Sequence, residues 1–199
     1  MKRIVLASKS PRRKELLENK GIKFEIIKSN YKEEKNDKFN QNFIKKISYC
    51  KAQDVAQSID FDAVVISADT IVILDSVCLN KPRDYNEALF CLKKLSDRWH
   101  SVITAVTIIY KDYSKTELVE TKVKFRKLSD DEIKNYIEKF EPFDKAGSYG
   151  IQDFVSERDI DNPPSSSFIE KIEGPYDNVV GLPVEKVIEM LKEVNAIKG

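Results

Sequence analysis

The run Ala63-Val64-Val65-Ile66-Ser67-Ala68-Asp69-Thr70-Ile71-Val72-Ile73-Leu74 reads as a buried strand with a carboxylate set in its middle. Burying a charge without a partner costs several kcal/mol. A chain that places Asp69 there must supply a cation, or use the carboxylate, or both. Asp75-Ser76 then turns the chain toward Val77-Cys78-Leu79.

On the N-terminal side, Ile4 to Ala7 is a short apolar run that reads as another buried strand. Ser10 offers an N-cap, Pro11 a first helical position and Gly21 a stop. Phe24 to Ile27 reads as a strand, residues 29 to 42 as a polar loop, and Phe43 to Ile59 as a helix. On the C-terminal side, Asp84 caps a helix that runs to Leu95. Ser101 to Tyr110 and Glu117 to Leu128 read as a hairpin around Lys111-Asp112. There Val119, Thr121, Val123 and Phe125 alternate with Glu120, Lys122, Lys124 and Arg126, the period of a strand with one wet face. Ser129 and Glu132 form a capping box for a helix to Phe140, and Pro142 stops it. Residues 153–167 are irregular, and Phe168 to Ile172 is a short strand. Pro183 opens a helix with Val184, Val187, Ile188, Leu191 and Val194 on one face. Strands alternating with helices specify a mixed α/β fold, expected as one domain over residues 1–199.

With 199 residues, 41% of them hydrophobic, the chain can build a sizeable core. Its 34 basic and 33 acidic side chains leave a net charge of +1, which argues against a broad nucleic-acid or anionic-membrane surface. Cys50, Cys78 and Cys91 share no metal-ligand spacing and read as reduced core thiols, suited to the cytoplasm. The apolar start is far shorter than a signal peptide needs, and no stretch approaches a span of ~20 apolar residues. A soluble cytoplasmic protein with no nucleic-acid or membrane partner is expected.

Five segments carry candidate chemistry, each with a plainer structural alternative. Ser8-Lys9-Ser10-Pro11-Arg12-Arg13 takes a strand into a capped helix, whose free N–H groups suit phosphate; it is otherwise an ordinary cap with solvated bases. Lys51 falls in the apolar stripe of Phe43, Ile44, Ile47 and Val55, where it either snorkels outward or meets an anion. Asp69 can polarise a water or hold a divalent cation, or be a hydrogen-bonded core residue. Thr70, its neighbour, points to the opposite face and is expected to serve a different surface. Asn80-Lys81-Pro82-Arg83-Asp84 offers two more cations or a solvated turn. Ala146-Gly147-Ser148-Tyr149-Gly150-Ile151-Gln152 is a glycine-permitted turn or a bulged strand, and Gln152 has a donor and an acceptor suited to the edge of a nucleobase. His100, the only histidine, has no evident partner and reads as structural or surface; no His-based triad follows. Glu33-Glu34 lies in the polar loop and matters only if that loop folds toward Asp69.

Taken in order, Leu6-Ala7-Ser8-Lys9-Ser10-Pro11-Arg12-Arg13, Ser67-Ala68-Asp69-Thr70, Lys81-Pro82-Arg83-Asp84, Ser101 to Val106, Asp144 to Gln152 and Asn178-Val179-Val180-Gly181-Leu182-Pro183 resemble the Maf family of nucleoside triphosphate pyrophosphatases, from Ile4 to about Leu191. The resemblance implies an elongated α/β fold of the Maf/ITPase-like kind: a long mixed, curved β-sheet flanked by helices, with two lobes and a central cleft. It implies hydrolysis of a nucleoside triphosphate to monophosphate and pyrophosphate with a divalent metal, Mg²⁺ or Mn²⁺, in the housecleaning of nucleotide pools. Asp69 falls on the proton acceptor. Arg12, Thr70 and Gln152 fall on specificity positions, and Ser8, Arg13, Lys51 and Lys81 on phosphate-contacting ones. Glu33 matches an acidic residue near the metal, as does Asp69. The arginine pair after Pro11, Thr70 after Asp69, and Tyr149-Gly150-Ile151-Gln152 side with the branch similar to enzymes that act on dTTP and UTP, and by extension on modified pyrimidine nucleotides. The other branch prefers 7-methyl-GTP, and the family also admits a regulator of cell division with little turnover. The family is often dimeric, so a homodimer is an expected option. Three departures stand out: Ser67 replaces a usual glycine, Lys32 replaces an acidic residue before Glu33, and Asp153 begins a longer polar stretch at the rim of the base pocket.

Overall fold

The computed structural model describes residues 2–32 and 38–197. The Ala63–Leu74 run is a strand over its whole length, β3. Before it come β1 (Arg3–Leu6), α1 (Pro11–Asn19), β2 (Glu25–Ile26) and α2 (Gln41–Ser58). After it come β4 (Val77–Leu79), α3 (Tyr85–Leu95), β5 (Trp99–Tyr110), β6 (Tyr113–Phe125), α4 (Asp130–Phe140), β7 (Ile169–Glu173), α5 (Tyr176–Val180) and α6 (Val184–Glu193). The described strands form an open mixed sheet ordered β2-β1-β3-β5-β6-β7, with β4 paired to β3 off that path. The β2-β1-β3 part is parallel, joined by the α1 and α2 crossovers such pairing requires. The remaining pairs are antiparallel.

The strand β3 is long enough, roughly 40 Å at the usual rise, to serve two cores. Its residues Val64, Ile66 and Ala68 pack with Val184, Val187 and Leu191 of α6. Two positions further along the same face, Val72 and Leu74 belong to a different core with Leu92 of α3 and Ile133 and Ile137 of α4. Thr70 falls between them. On the other face Ala63 and Val65 pack under Ala52 and Val55 of α2, and Ile73 packs with Ile44 and Ile103. Ser67 and Asp69 fall between those. The apolar alternation therefore breaks at the same level on both faces, and the polar residues mark the divide between the two lobes.

The expected elements are present, with bounds that differ for physical reasons. The hairpin strands run to Tyr110↔Tyr113 because Lys111-Asp112 makes a two-residue turn, with Lys111 at φ 52°; Leu128 lies beyond the strand. Only Glu25 and Ile26 of the second strand pair. The five-residue α5 has too few positions to show a period and was not foreseen. Cys91 is buried, whereas Cys50 and Cys78 are half-buried, so the core-thiol reading holds for Cys91 alone; none of the three is in a disulfide. Among the described residues no helix is long and apolar enough to cross a membrane.

Candidate active site

The two lobes meet at a gap in the sheet. Strand β1 pairs with β3 only as far as Leu6↔Ile66, extended by Ala7 N donating to Ile66 O at 2.7 Å. On the same side β4 begins to pair at Val72. Among the described residues, 67–71 of β3 thus have a strand partner, β5, on one side only. An unpaired strand edge must satisfy its backbone groups some other way. Here the edge lines a cleft of about 710 Å³, within the range usual for ligand sites.

Asp69 projects from this edge toward α2, and Lys51 Nζ donates to its Oδ1 at 2.7 Å. Both side chains are only 12% exposed. The lysine in the apolar stripe of α2 therefore turns inward to an anion and does not snorkel. Asp69 is neither a core residue bonded to neutral groups nor a fully solvated acid: it is a half of a nearly buried ion pair that lines the cleft.

Thr70 points to the opposite face, as strand geometry requires. It nevertheless lines the same cleft, because the cleft wraps around the free edge and reaches both faces; separate surfaces were expected. On that face Arg13 fills the place of a missing strand. Its Nη1 donates to Ala68 O at 2.7 Å, two residues beyond the last carbonyl that β1 satisfies, and to Ser8 Oγ at 3.3 Å. Its Nε donates to Gly181 O at 2.7 Å and its Nη2 to Thr70 Oγ1 at 3.1 Å. Ser10 holds the N-cap position of α1 but its side chain makes no capping bond. Instead Ser8 Oγ accepts from Ser10 N at 3.2 Å. Ser8 thus serves both the helix start and the arginine.

Arg12, next to it, reaches across the cleft: Nη1 meets Asp144 Oδ2 at 2.8 Å. Asp144 Oδ1 also accepts from Lys145 Nζ at 3.1 Å. Burial pushes the Asp144 carboxyl up, but Arg12 and Lys145 outweigh it and hold it below its usual value. Lys81 is exposed and lines the cleft from the loop after β4. Gln152 lines it too and is exposed. Its loop comes close to β3 because Gly147, at φ +70°, has no Cβ; one there would lie 2.8 Å from Val72 Cγ2. The longer polar stretch that follows is anchored at its start: Asp153 Oδ2 accepts from Tyr136 Oη at 2.6 Å, and Phe154 stacks on Phe168 at 4.5 Å.

Of the residues singled out in the sequence, Asp69, Ser8, Arg12, Arg13, Lys51, Thr70, Lys81 and Gln152 line one cleft. Glu33 and Glu34 lie outside the described residues. Asp144 and Lys145 fell within a family segment but were given no role; the signal for one was a charged pair directly before the Ala146-Gly147 turn. Gly181 was missed because its contribution is a carbonyl, which sequence chemistry does not display. His100 does not itself line the cleft: it is 3% exposed, with Nε2 2.7 Å from Oη of Tyr149, which does.

A carboxylate among cations drawn from distant stretches is an arrangement suited to a polyanion, and an open mixed sheet split by such a cleft defines an α/β anion-binding protein. More particularly, the chain belongs to the Maf-like protein family, whose model matches residues 3–194. It is 48% identical over 200 residues to the dTTP/UTP pyrophosphatase of Thermosipho africanus, covering 99% of this chain and 97% of that protein. It is 45% identical over 192 residues to the dTTP/UTP pyrophosphatase of Thermoanaerobacter pseudethanolicus, covering 96% and 95%. Among solved structures, the Staphylococcus aureus Ham1 protein is 14% identical, with a TM-score of 0.42 over 65% of this chain and 73% of that one.

Proposed function

We propose that the chain hydrolyses dTTP and UTP to the monophosphate and pyrophosphate, a housecleaning reaction on nucleotide pools. The observation that carries this reading is the Lys51–Asp69 pair in a cleft also lined by Arg12, Arg13, Lys81 and Lys145. Near-full-length relatives named for that activity support it.

In the mechanism, the triphosphate lies against Arg12, Arg13 and Lys81. Charge-assisted contacts of this kind are the strong ones and offset charge on the departing pyrophosphate. Lys51 holds Oδ1 of Asp69, so Oδ2 takes a proton from the attacking water. The water oxygen forms a bond to the α-phosphorus as the bond to the α–β bridging oxygen breaks. That oxygen leaves with pyrophosphate. Gln152 presents an amide with both donor and acceptor, the complement of the N3–H and O4 edge shared by uracil and thymine.

Among the described residues no group of three or more His, Cys, Asp or Glu could form a cage for a metal. A hard cation such as Mg²⁺ commonly binds through one or two carboxylates plus substrate phosphates, and Asp69 at the cleft fits that mode. Asp69, with Glu33 by family resemblance, would hold the ion, which would supply charge neutralisation and polarisation at the phosphate.

The decisive assay is pyrophosphate release from a panel of UTP, dTTP, CTP, GTP and 7-methyl-GTP at fixed Mg²⁺ or Mn²⁺. UTP and dTTP are expected to lead. Asp69→Asn is expected to lower turnover by about 10²–10⁴-fold while UTP affinity stays within a few-fold. Retained turnover in that variant removes Asp69 from its role, and a preference for 7-methyl-GTP overturns the substrate assignment.

A further inference from the structure

The Gln152 amide is carried on a short turn, and one phenol holds that turn from behind. Residues Ile151–Asp153 form a single 3₁₀ turn, closed by Asp153 N donating to Gly150 O at 3.1 Å. Ile151 is fully buried, and Gln152 beside it is exposed in the cleft. Tyr136 of α4 clips both ends of the turn. Its Oη accepts from Gly150 N at 3.1 Å and donates to Asp153 Oδ2 at 2.6 Å. Burial, and after it the Asp153 carboxylate, push the phenol far above its usual range, so it keeps the proton that it donates.

Packing makes the clip stiff. The Tyr136 ring is buried, with ring centres of Phe154 at 4.8 Å, Phe140 at 5.0 Å and Phe168 at 5.3 Å. Gly150 lets the carboxylate close over the turn: a Cβ there would lie 2.9 Å from Asp153 Oδ2 and 3.3 Å from Gln152 Oε1. The Gln152 amide therefore lies over the residue whose N–H Tyr136 holds. Asp153, where the chain leaves the family pattern, supplies the other half of the clip. The cations assigned to the polyphosphate come from elsewhere, Arg12 and Arg13 from α1 and Lys81 from the loop after β4.

We infer that Tyr136 is a positioning residue for base selection: it holds the turn from Gly150 to Asp153 at both ends and so fixes where the Gln152 amide meets the base. This rests on the pyrophosphatase reading and deepens it. Uracil offers a donor at N3 and an acceptor at O4, and cytosine offers the reverse. An amide held in one pose matches one pattern and leaves the other unpaired, whereas an amide that shifts with its turn matches both. Loosening the clip thus lowers the preference for uracil and leaves the hold on the polyphosphate intact.

The test is calorimetric titration of Tyr136→Phe, which keeps the ring stack and removes the hydroxyl. The ligands are inorganic tripolyphosphate and the α,β-methylene analogues of UTP and CTP. The preference for the UTP analogue over the CTP analogue is expected to fall by about three- to tenfold, with tripolyphosphate affinity unmoved. In turnover the loss appears in KM for UTP at little-changed kcat. Asp153→Ala, half-buried at the rim, opens the other end of the clip and lowers the ratio in the same direction. Asp153→Asn removes the charge but keeps an oxygen that accepts from Tyr136, and it retains the ratio of the unaltered protein. The Asp153 pair decides alone if Tyr136→Phe does not fold. An equal loss on all three ligands is the mark of a packing defect and overturns the inference. So does an unchanged ratio when the clip is opened, and so does an Asp153→Asn loss as large as that of Asp153→Ala. Equal binding of the two analogues by the unaltered protein leaves no preference for Tyr136 to hold and overturns it as well. If the unaltered protein releases no pyrophosphate, the enzymatic reading falls, and the analogue ratio still decides the role of Tyr136.

Discussion

At the scale of single residues, His100 shows how burial decides chemistry. It is 3% exposed, stands edge-on to Phe125 at 5.0 Å, and bonds Tyr149 through Nε2. Among the described residues its Nδ1 has no hydrogen-bond partner. A charged ring there would lack water; this burial outweighs the Arg98 backbone, which favours the charge, and lowers the imidazole from 6.5 to about 3. The unfolded chain binds a proton near pH 6.5 and the folded chain does not. The stability this group contributes is thus present above pH 6.5 and lost as pH falls toward 3. Between pH 6.5 and 5 the loss amounts to roughly 2 kcal/mol, or roughly 4–8 °C in Tm. His100 is the only histidine, so this window is its own. Melting curves at pH 6.5, 5.8 and 5.0 are expected to show that drop in the unaltered protein and little of it in His100→Gln. Equal slopes in the two proteins remove His100 as the cause. The sequence showed a lone histidine beside an apolar strand; its depth and its tyrosine, 49 positions away, are tertiary facts.

At the scale of elements, local rules were enough wherever a segment answers to its own neighbours. The capping box at α4 is such a case: Glu132 N donates to Ser129 Oγ at 3.3 Å, and Ser129 N to Glu132 Oε2 at 2.8 Å. Arg126 Nη2 holds the other carboxylate oxygen and its Nε donates to Ser167 O, so the cap also ties β6 to the segment before β7. Ser129→Ala is expected to cost about 1 kcal/mol, lowering Tm by roughly 2–4 °C, with UTP turnover unchanged because neither Ser129 nor the first turn of α4 lines the cleft. A melt that does not move would show that the Arg126 contact alone fixes the helix start. The strands, the capped helices and the tight turn at Lys111-Asp112 were legible for the same local reason. The α5 helix was not, since five residues carry no period, and its value lies in placing the Gly181 carbonyl against Arg13. Lys51 was half legible: helical spacing put it in the apolar stripe, while the anion that explains it comes from β3.

At the scale of the whole molecule, β3 is shared by two cores, and the cations gather where both faces lose their apolar residues. Arg12 and Asp144 join the lobes over 132 positions of sequence, a convergence that no window of residues displays. The family motifs made the members recognisable; the gap between β1 and β4 that exposes them is a property of pairing. It follows that a polyanion bound at the gap touches both lobes and binds only the folded chain. Linkage then adds about 2.7 kcal/mol of stability at a ligand concentration 100 times its dissociation constant. For a chain of this length that raises Tm by roughly 5–10 °C. Tripolyphosphate and α,β-methylene-UTP are expected to produce the rise in a single cooperative transition, and uridine, which lacks the charge, to produce almost none. The rise is expected to shrink between 0.05 and 0.5 M KCl, about a threefold fall in Debye length, because the rim lysine and arginines are partly exposed and screened. Differential scanning calorimetry across that series checks the claim. Two separate transitions, with only one displaced by ligand, would mean that the polyanion sits on one lobe and that the cleft is not its seat.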